Sequence, residues 1–489
     1  MAKSSNPNIL FLFPDQLRAD YLGCYGSTFS KTPHIDKLCS ESVQYTEAIS
    51  SAPLCIPARA SLLTGYNCVA TGVFNNDQWL RPDHSACGMP SWPELLSKNG
   101  YHTEGIGKMH FYPWDISEGF DHRVIAEDKR HLDIEDDYQL YLNKHGYKKV
   151  HGNASSDYYE GKGAACSTIP AQHQVDVWTA NQTIEFIDTY KSDKPFACMV
   201  GFPGPHCPYD PPENLVSEFN PEDMPDSIAD NSVSEHFKQS FIEGMKASWN
   251  GVDYSEFTEA QKKKIKAYYC ALINQIDTSI GEIIESLKRN GKLDNTVVIL
   301  SSDHGDFVGD YGLTGKSFFL RPATHVPLII RLPNGSHKKV DSSVSLTDLF
   351  STILSLANVG VHQNEDSMIL PEMPNANESP RNYLFAPSHK GYMVLKDNYK
   401  YVRYHTGFKM LTHTKEDPED RNNLYHNLEH KNKLEELQAI MEKEIDRSIE
   451  IANKEKVVDR GGLMGEGAFG KMGWQRKYPE DLSYFKPHI

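Results

Sequence analysis

The sequence predicts an α/β protein: a large, mainly parallel sheet flanked by helices, followed by a smaller C-terminal α+β subdomain. Two observations carry this reading. Short apolar runs alternate with segments of helical periodicity, which is the pattern of βαβ units around a parallel sheet. After about residue 360 the texture changes to short alternating segments, a turn and one amphipathic helix. The division is placed at residue 370, with a main domain over 1–370 and, over 371–489, a subdomain of small antiparallel sheet, helix and irregular tail.

Taken in order, the first strand is expected over residues 9–13 (Ile-Leu-Phe-Leu-Phe), and others over 103–106, 196–202, 297–302 and 326–331. A long helix is expected over 259–289, because Ile265, Tyr269, Leu272, Ile276, Ile280, Ile283 and Leu287 recur every three or four residues as one buried stripe. Gly291 ends it. A second helix, 347–357, opens on Thr347-Asp348 as a capping pair. Residues 361–380, rich in Asn, Glu, Pro and Met, read as a linker. Beyond them, 392–395 and 399–404 alternate, Lys415-Glu416-Asp417-Pro418 turns, and 432–449 is amphipathic. The tail from Gly461 is rich in glycine and aromatics and has no period.

Composition excludes several classes of function. The 489 residues, 39% hydrophobic and 24% charged, can bury a large core and are not a disordered chain. A net charge of −16 repels phosphate backbones, so no nucleic-acid partner is expected. An anionic substrate would then need a local cluster of cations or a metal. No window approaches the roughly 18 apolar residues that span a bilayer. The opening Met1-Ala2-Lys3-Ser4-Ser5 runs into a strand with no apolar leader region, and nine scattered cysteines form no disulfide framework. A reducing cytoplasm is the expected location.

Ligands of open parallel sheets bind beyond the carboxyl ends of the strands. Four expected strand ends carry polar groups there: Pro14-Asp15-Gln16, Gly107-Lys108-Met109-His110, Pro205-His206-Cys207-Pro208 and Asp303-His304-Gly305-Asp306. Singly, a strand-ending Asp is more often a helix cap, and a lone His more often a satisfied core or surface residue. Asp15 and Asp303 at adjacent strand ends would repel, and a hard divalent cation removes that cost. Gln16 could add an amide oxygen and His304 a nitrogen, which leaves room for manganese.

The most informative segment is Pro53-Leu54-Cys55-Ile56-Pro57-Ala58-Arg59-Ala60-Ser61-Leu62-Leu63-Thr64-Gly65. Pro57 suits the first turn of a helix and Gly65 its end. Cys55 is therefore expected at the N-cap, where free N–H groups and the positive dipole end converge. Arg59, one turn on, can fork onto an oxyanion at the same end.

Cys-x-Pro-x-Arg followed by Ala-Ser-Leu-Leu-Thr-Gly resembles the signature of the type I sulfatases, in the alkaline phosphatase superfamily. Asn8 to Asp20 resembles that family's first metal strand, Gly107-Lys108-Met109-His110 its Gly-Lys-x-His, and Pro205-His206-Cys207-Pro208 its Pro-His-x-Pro. Ser302-Asp303-His304-Gly305-Asp306 and Gly312-Leu313-Thr314-Gly315-Lys316 resemble its second metal segment and lysine. The ordered matches cover residues 8 to 331, and Tyr399-Lys400-Tyr401 with Glu416-Asp417-Pro418 resembles the C-terminal subdomain.

The resemblance implies that a maturation enzyme converts Cys55 to formylglycine, and that Asp15, Gln16, Asp303, His304 and residue 55 hold one divalent metal. Many members have a second Asp in place of Gln16 and Asn in place of His304. Calcium is expected, with manganese or magnesium as alternatives. Arg59 and Lys108 would hold formylglycine and sulfate oxygens, His110 would assist collapse of the intermediate, and His206 and Lys316 would face the leaving oxygen. Asn76 matches a sulfate-contacting Asn of some subfamilies. The chemistry implied is hydration of the aldehyde to a diol, in-line attack on sulfur, and elimination of sulfate.

Relatives on the same fold that cleave phosphonate monoesters or phosphodiesters share most of these residues but lack the Lys-x-His pair of Lys108 and His110, which favours a sulfatase. A non-catalytic binding module is disfavoured because every catalytic role is filled. A sulfated carbohydrate is the expected substrate, with choline or alkyl sulfate as the alternative. Trp79, Tyr112 and Trp114 could stack on a sugar, cup a quaternary ammonium, or simply belong to the core.

Overall fold

The apolar run near the start of the chain forms β1, Asn8–Asp15, in the middle of the main sheet. Its even-numbered residues Leu10 and Leu12 join one core with Ile273, Ile276 and Ile280 of the long helix. Its odd-numbered residues Ile9, Phe11 and Phe13 join another core with Ala58, Leu62, Phe350 and Ile353. A strand covered on both faces needs apolar side chains at both parities, which is why this segment reads as a run and not an alternation. The computed structural model describes residues 6–453 except 129, 249–250, 334, 361, 363 and 377–380. The tail from Gly461 and parts of the expected linker lie outside the described residues.

Eight further strands complete the main sheet: β2 (Val43–Ile49), β3 (His102–Gly107), β4 (His122–Ile125), β5 (Phe196–Pro205), β6 (Thr296–Ser301), β7 (His325–Arg331), β8 (Lys338–Val340) and β9 (Val344–Ser345). Their order is β4-β3-β5-β1-β6-β7-β2-β8, with β9 also on β2. β4, β3, β5, β1 and β6 run parallel, so their carboxyl ends share one edge. Of the expected strands, β7 alone reverses, lying antiparallel to both β6 and β2.

The long helix spans Glu259–Arg289 as its periodicity predicts, and all seven stripe residues are buried. The second helix differs at its start. A 3-10 turn, Leu346–Asp348, precedes Leu349–Leu356, and the cap is Ser345, not the Thr347-Asp348 pair. The Ser345 hydroxyl accepts the Thr347 N–H at 3.2 Å, and Asp348 returns the bond to the Ser345 N–H at 3.0 Å. Ser345 has the extended backbone that a cap requires, whereas Thr347 is already inside the turn.

The C-terminal strands β10 (Leu384–Ser388), β11 (Gly391–Lys396), β12 (Tyr399–Tyr404) and β13 (Lys409–His413) form a separate antiparallel meander. One face packs Val394, Tyr401 and Leu411 on Leu437 and Met441 of the helix Lys431–Ala452. The other packs Met393 and Val402 on Phe318 and Phe319, just beyond Lys316. Among the described residues no helix is long and apolar enough to cross a membrane.

Candidate active site

The parallel edge brings the four polar strand ends together. Asp15 is the last residue of β1, Lys108 follows β3, His206 follows β5, and Asp303 lies two residues beyond β6. Gly107, at φ +85°, turns the chain out of β3 so that Lys108 enters the site.

Cys55 opens the helix Cys55–Thr64, which ends at Gly65 in the left-handed region (φ 75°). It occupies the first helical position, not the expected N-cap. That place is taken by Leu54, which has no capping side chain. The cap comes from a distance: the Asn76 Oδ1 accepts the Ile56 N–H at 3.0 Å. Asn76 thus positions the start of the Cys55 helix, and a sulfate contact would fall to its Nδ2.

Arg59 ties the two carboxylates that were expected to repel. Its Nε lies 3.0 Å from Asp303 Oδ2, its Nη2 3.0 Å from Asp15 Oδ2, and its Nη1 donates to the Lys108 carbonyl at 3.1 Å. Lys108 Nζ lies 3.0 Å from the same Asp15 oxygen and 2.9 Å from Asp128 Oδ2. Burial raises the Asp15 pKa, but the Lys108 ammonium and the Arg59 guanidinium beside it hold it well below the usual carboxylate range.

Asp15, Cys55, Asp303 and His304 each place one possible ligand atom within 4.8 Å of the others, and all four are buried. His304 Nδ1 donates to the Gly305 carbonyl at 2.9 Å, which leaves Nε2, 3.1 Å from Cys55 Sγ, turned into the cluster. Two carboxylates and a correctly presented imidazole make a donor set that fits a divalent cation. Gln16 borders the cluster. Its backbone N–H donates to Asp303 Oδ1 at 3.0 Å, while its side-chain oxygen accepts from Lys316 Nζ at 2.7 Å.

His206 and Lys316 form a pair, with Nε2 and Nζ 2.6 Å apart. The other nitrogen of His206 donates to the Cys207 carbonyl at 2.5 Å, so Nε2 is the acceptor for Lys316. Burial, with Lys316 and Arg130 nearby, keeps His206 neutral by pushing its pKa well down. His110 has left-handed backbone (φ 59°), donates its N–H to Glu127 at 3.2 Å, and buries an Nδ1 without a partner. Burial and Lys108 push its pKa well down too. It is a neutral imidazole held beside the cluster in a costly conformation.

Sequence reasoning missed Asp128, Arg130 and Asp306. Asp128 and Arg130 follow β4, a four-residue strand too short to show a period. Asp306 closes the Ser302–Asp306 segment, where its type and position alone indicate no task. It accepts the Tyr209 hydroxyl at 2.8 Å and the N–H groups of Val308 and Gly315 at 2.9 and 2.8 Å, and so shapes the loop that ends at Lys316. The aromatics divide: Trp79 lies 5.0 Å from the Phe111 ring and donates Nε1 to Glu118 at 2.7 Å, while Tyr112 is 48% exposed.

Fold and strand-end chemistry together define an alkaline phosphatase-like hydrolase. Residues 7–359 match the family model described as Sulfatase, and residues 309–448 that described as N-sulphoglucosamine sulphohydrolase, C-terminal. The chain belongs to the sulfatase family and is a sulfuric ester hydrolase. An arylsulfatase of Clostridium perfringens is 28% identical over 476 residues, spanning 90% of this chain and 94% of its own. An N-acetylglucosamine-6-O-sulfatase of Bacteroides thetaiotaomicron is 24% identical, spanning 90% and 86%. The solved phosphonate monoester hydrolase of Agrobacterium radiobacter superposes with a TM-score of 0.77 at 22% identity over 90% of this chain and 96% of its own, a likeness of fold.

Proposed function

We propose that this sulfatase hydrolyses a sulfate monoester on a carbohydrate, with Cys55 matured to formylglycine by a maturation enzyme and one divalent cation, calcium, held by Asp15, Gln16, Asp303, His304 and residue 55. The observation that carries this is the buried convergence of Cys55 with two carboxylates and His304 within 4.8 Å, at a helix start. The carbohydrate assignment is supported by the C-terminal family model and by the glucosamine sulfatase among the relatives. The free state of all nine cysteines supports a reducing compartment. The catalytic unit is taken as residues 1–370 and the C-terminal subdomain as 371–489.

When bound, the cation would neutralise the facing carboxylates and favour the ionised form of a nearby hydroxyl. The formylglycine would supply a nucleophile from which sulfate can leave by elimination. The protein's own groups do the rest. Arg59, fixed by two carboxylates, and Lys108, fixed between Asp15 and Asp128, present positive charge to the sulfate oxygens without reorganising. Lys316 holds a proton directed at neutral His206, so the pair can protonate the leaving alcohol oxygen and be recharged from solvent. His110, neutral and with an unpartnered Nδ1, can accept the proton released as sulfate departs.

The reading is tested with protein coexpressed with a formylglycine-generating enzyme, assayed on sulfated sugars, choline sulfate, an aryl sulfate and an aryl phosphodiester. Lys108→Ala should lower aryl sulfate turnover about a hundredfold, a loss of roughly 3 kcal/mol, and affect the phosphodiester far less. A wild type that prefers the phosphodiester, with Lys108→Ala harmless to both reactions, would move the enzyme to phosphohydrolase chemistry.

A further inference from the structure

The first C-terminal hairpin turns at the rim of the active site. Between β10 and β11 stand His389 and Lys390, whose backbone is fixed at three points. The His389 N–H donates to the Phe74 carbonyl at 3.1 Å, the Lys390 N–H donates to the Ser388 hydroxyl at 3.2 Å, and the Lys390 carbonyl accepts the His405 N–H at 2.8 Å. Phe74 lies two residues before Asn76, which caps the Cys55 helix. On the other side, Lys390 Nζ stands over the Phe318 ring, 5.8 Å from its centre, and Phe318 lies two residues beyond Lys316. The Ser317 N–H between them donates to the Pro53 carbonyl at 2.9 Å, just ahead of Cys55. The turn therefore bridges the two segments that flank the Cys55 helix start, on the side where Lys316 faces the leaving oxygen.

This turn carries two polar groups that the fold does not satisfy. His389 buries an Nδ1 without a partner. Burial, with Lys390 and His405 nearby, pushes its pKa down to about 4 against the pull of Asp77 on the facing loop, so the ring is neutral and the charge of the turn is that of Lys390. Lys390 is half-buried, and among the described residues its ammonium has no hydrogen bond or ion pair. Burial lowers its pKa, and no carboxylate offsets that effect. A lysine that serves only solubility keeps its ammonium in water. We propose that Lys390 is a specificity-determining residue that binds an anionic oxygen group, a carboxylate or a second sulfate, on the alcohol part of the substrate. The fixed turn and the Phe318 ring hold the ammonium ready, and an anion there restores the stabilisation that burial removes. The assignment rests on the sulfatase reading above and deepens it: the sugar that leaves carries a second anion.

Binding tests this without turnover. In a Cys55→Ser background with calcium, calorimetry would measure affinity for N-acetylglucosamine monosulfate, N-acetylglucosamine disulfate, and the monosulfate linked to glucuronate. The second anion should tighten binding at least about tenfold with Lys390 present and less than about threefold in Lys390→Gln. The arm that gains more identifies the group that is bound. Lys390→Arg keeps the charge and should keep most of the gain, which guards against misfolding of the Gln variant. Lys288→Gln, an equal loss of charge at an exposed position, should keep all of it, which separates contact from a general field. A gain of about threefold or more in Lys390→Gln, a gain below about tenfold with Lys390 present, or no binding of any of the three sugars would overturn the assignment. The sulfatase reading is scored separately, by sulfate release from an aryl sulfate by the matured wild type, so the two failures are distinguishable.

Discussion

Replacing Gly201 by alanine should damage the site from behind. Gly201 lies in β5 opposite Phe13 of β1 and Gly107 of β3. Its backbone is not in the left-handed region, so alanine is locally acceptable, and in an ordinary strand the change would stabilise by about 0.5–1 kcal/mol. Here a Cβ would stand 1.9 Å from the Lys108 carbonyl oxygen and 2.8 Å from its carbon. Real Cβ contacts essentially never fall under 3.0 Å, and a backbone oxygen cannot rotate aside. The Lys108 segment must therefore retreat by about 1 Å, pulling on the Lys108 N–H bond to the Gly201 carbonyl (2.7 Å) and the Arg59 bond to the displaced oxygen (3.1 Å).

Overpacking of this kind costs about 1–3 kcal/mol, which outweighs the gain from removing a glycine. A 1 Å misplacement at a catalytic group costs on the order of a hundredfold in rate. Gly244 is the control: it is exposed in the helix Ser232–Ala247 with nothing within 4 Å of an added Cβ. Gly244→Ala should stabilise by about 0.5–1 kcal/mol at unchanged turnover. Urea unfolding and aryl sulfate turnover of both variants give the comparison. A Gly201→Ala protein as stable and as active as wild type would refute the close approach of β3 and β5 on which the placement of Lys108 depends.

Three further outcomes are expected. Cys55→Ser should retain the melting temperature within a few degrees but release no sulfate, and intact mass of the matured wild type should show aldehyde in place of thiol; a fully active Ser variant would sink the nucleophile assignment. Asp303→Asn leaves Arg59 with one carboxylate instead of two, and should lose both bound calcium, counted by mass spectrometry after dialysis, and activity. Asp277 accepts the Ile35 and His34 N–H groups at 2.7 and 3.2 Å, yet burial pushes its pKa up to about 6. Its folded pKa exceeds its unfolded value, so its contribution is largest in acid and is lost as pH rises through 6. Between pH 5 and 7 the wild type should lose roughly 1 kcal/mol relative to Asp277→Asn in urea titrations; a pH-independent difference would refute the shift.

The strand ends were legible because in a parallel sheet one short apolar run and the polar residues after it belong to the same local signal. Ile9 to Phe13 names the strand, and Asp15 must then lie at the ligand edge. Lys108, His206 and Asp303 were found in the same way. What resisted was whatever acts across a large sequence separation. β2 and β4 were not expected as strands, and with β4 went Asp128, whose two cationic partners are Lys108, twenty residues back, and Arg130.

The misplaced cap at Cys55 has the same origin. A local reading puts a capping side chain at the helix start, and Cys55 was the polar candidate there. The fold instead supplies Asn76 from a loop twenty residues on, leaving Leu54 as the uncapped N-cap. The consequence is chemical. A residue that caps its own helix must point its side chain back at the helix N–H groups. Cys55, relieved of that task by Asn76, can instead direct Sγ outward to His304 Nε2 at 3.1 Å and Asp15 Oδ1 at 3.9 Å. A helix start that a distant amide satisfies is one whose first side chain is available for chemistry.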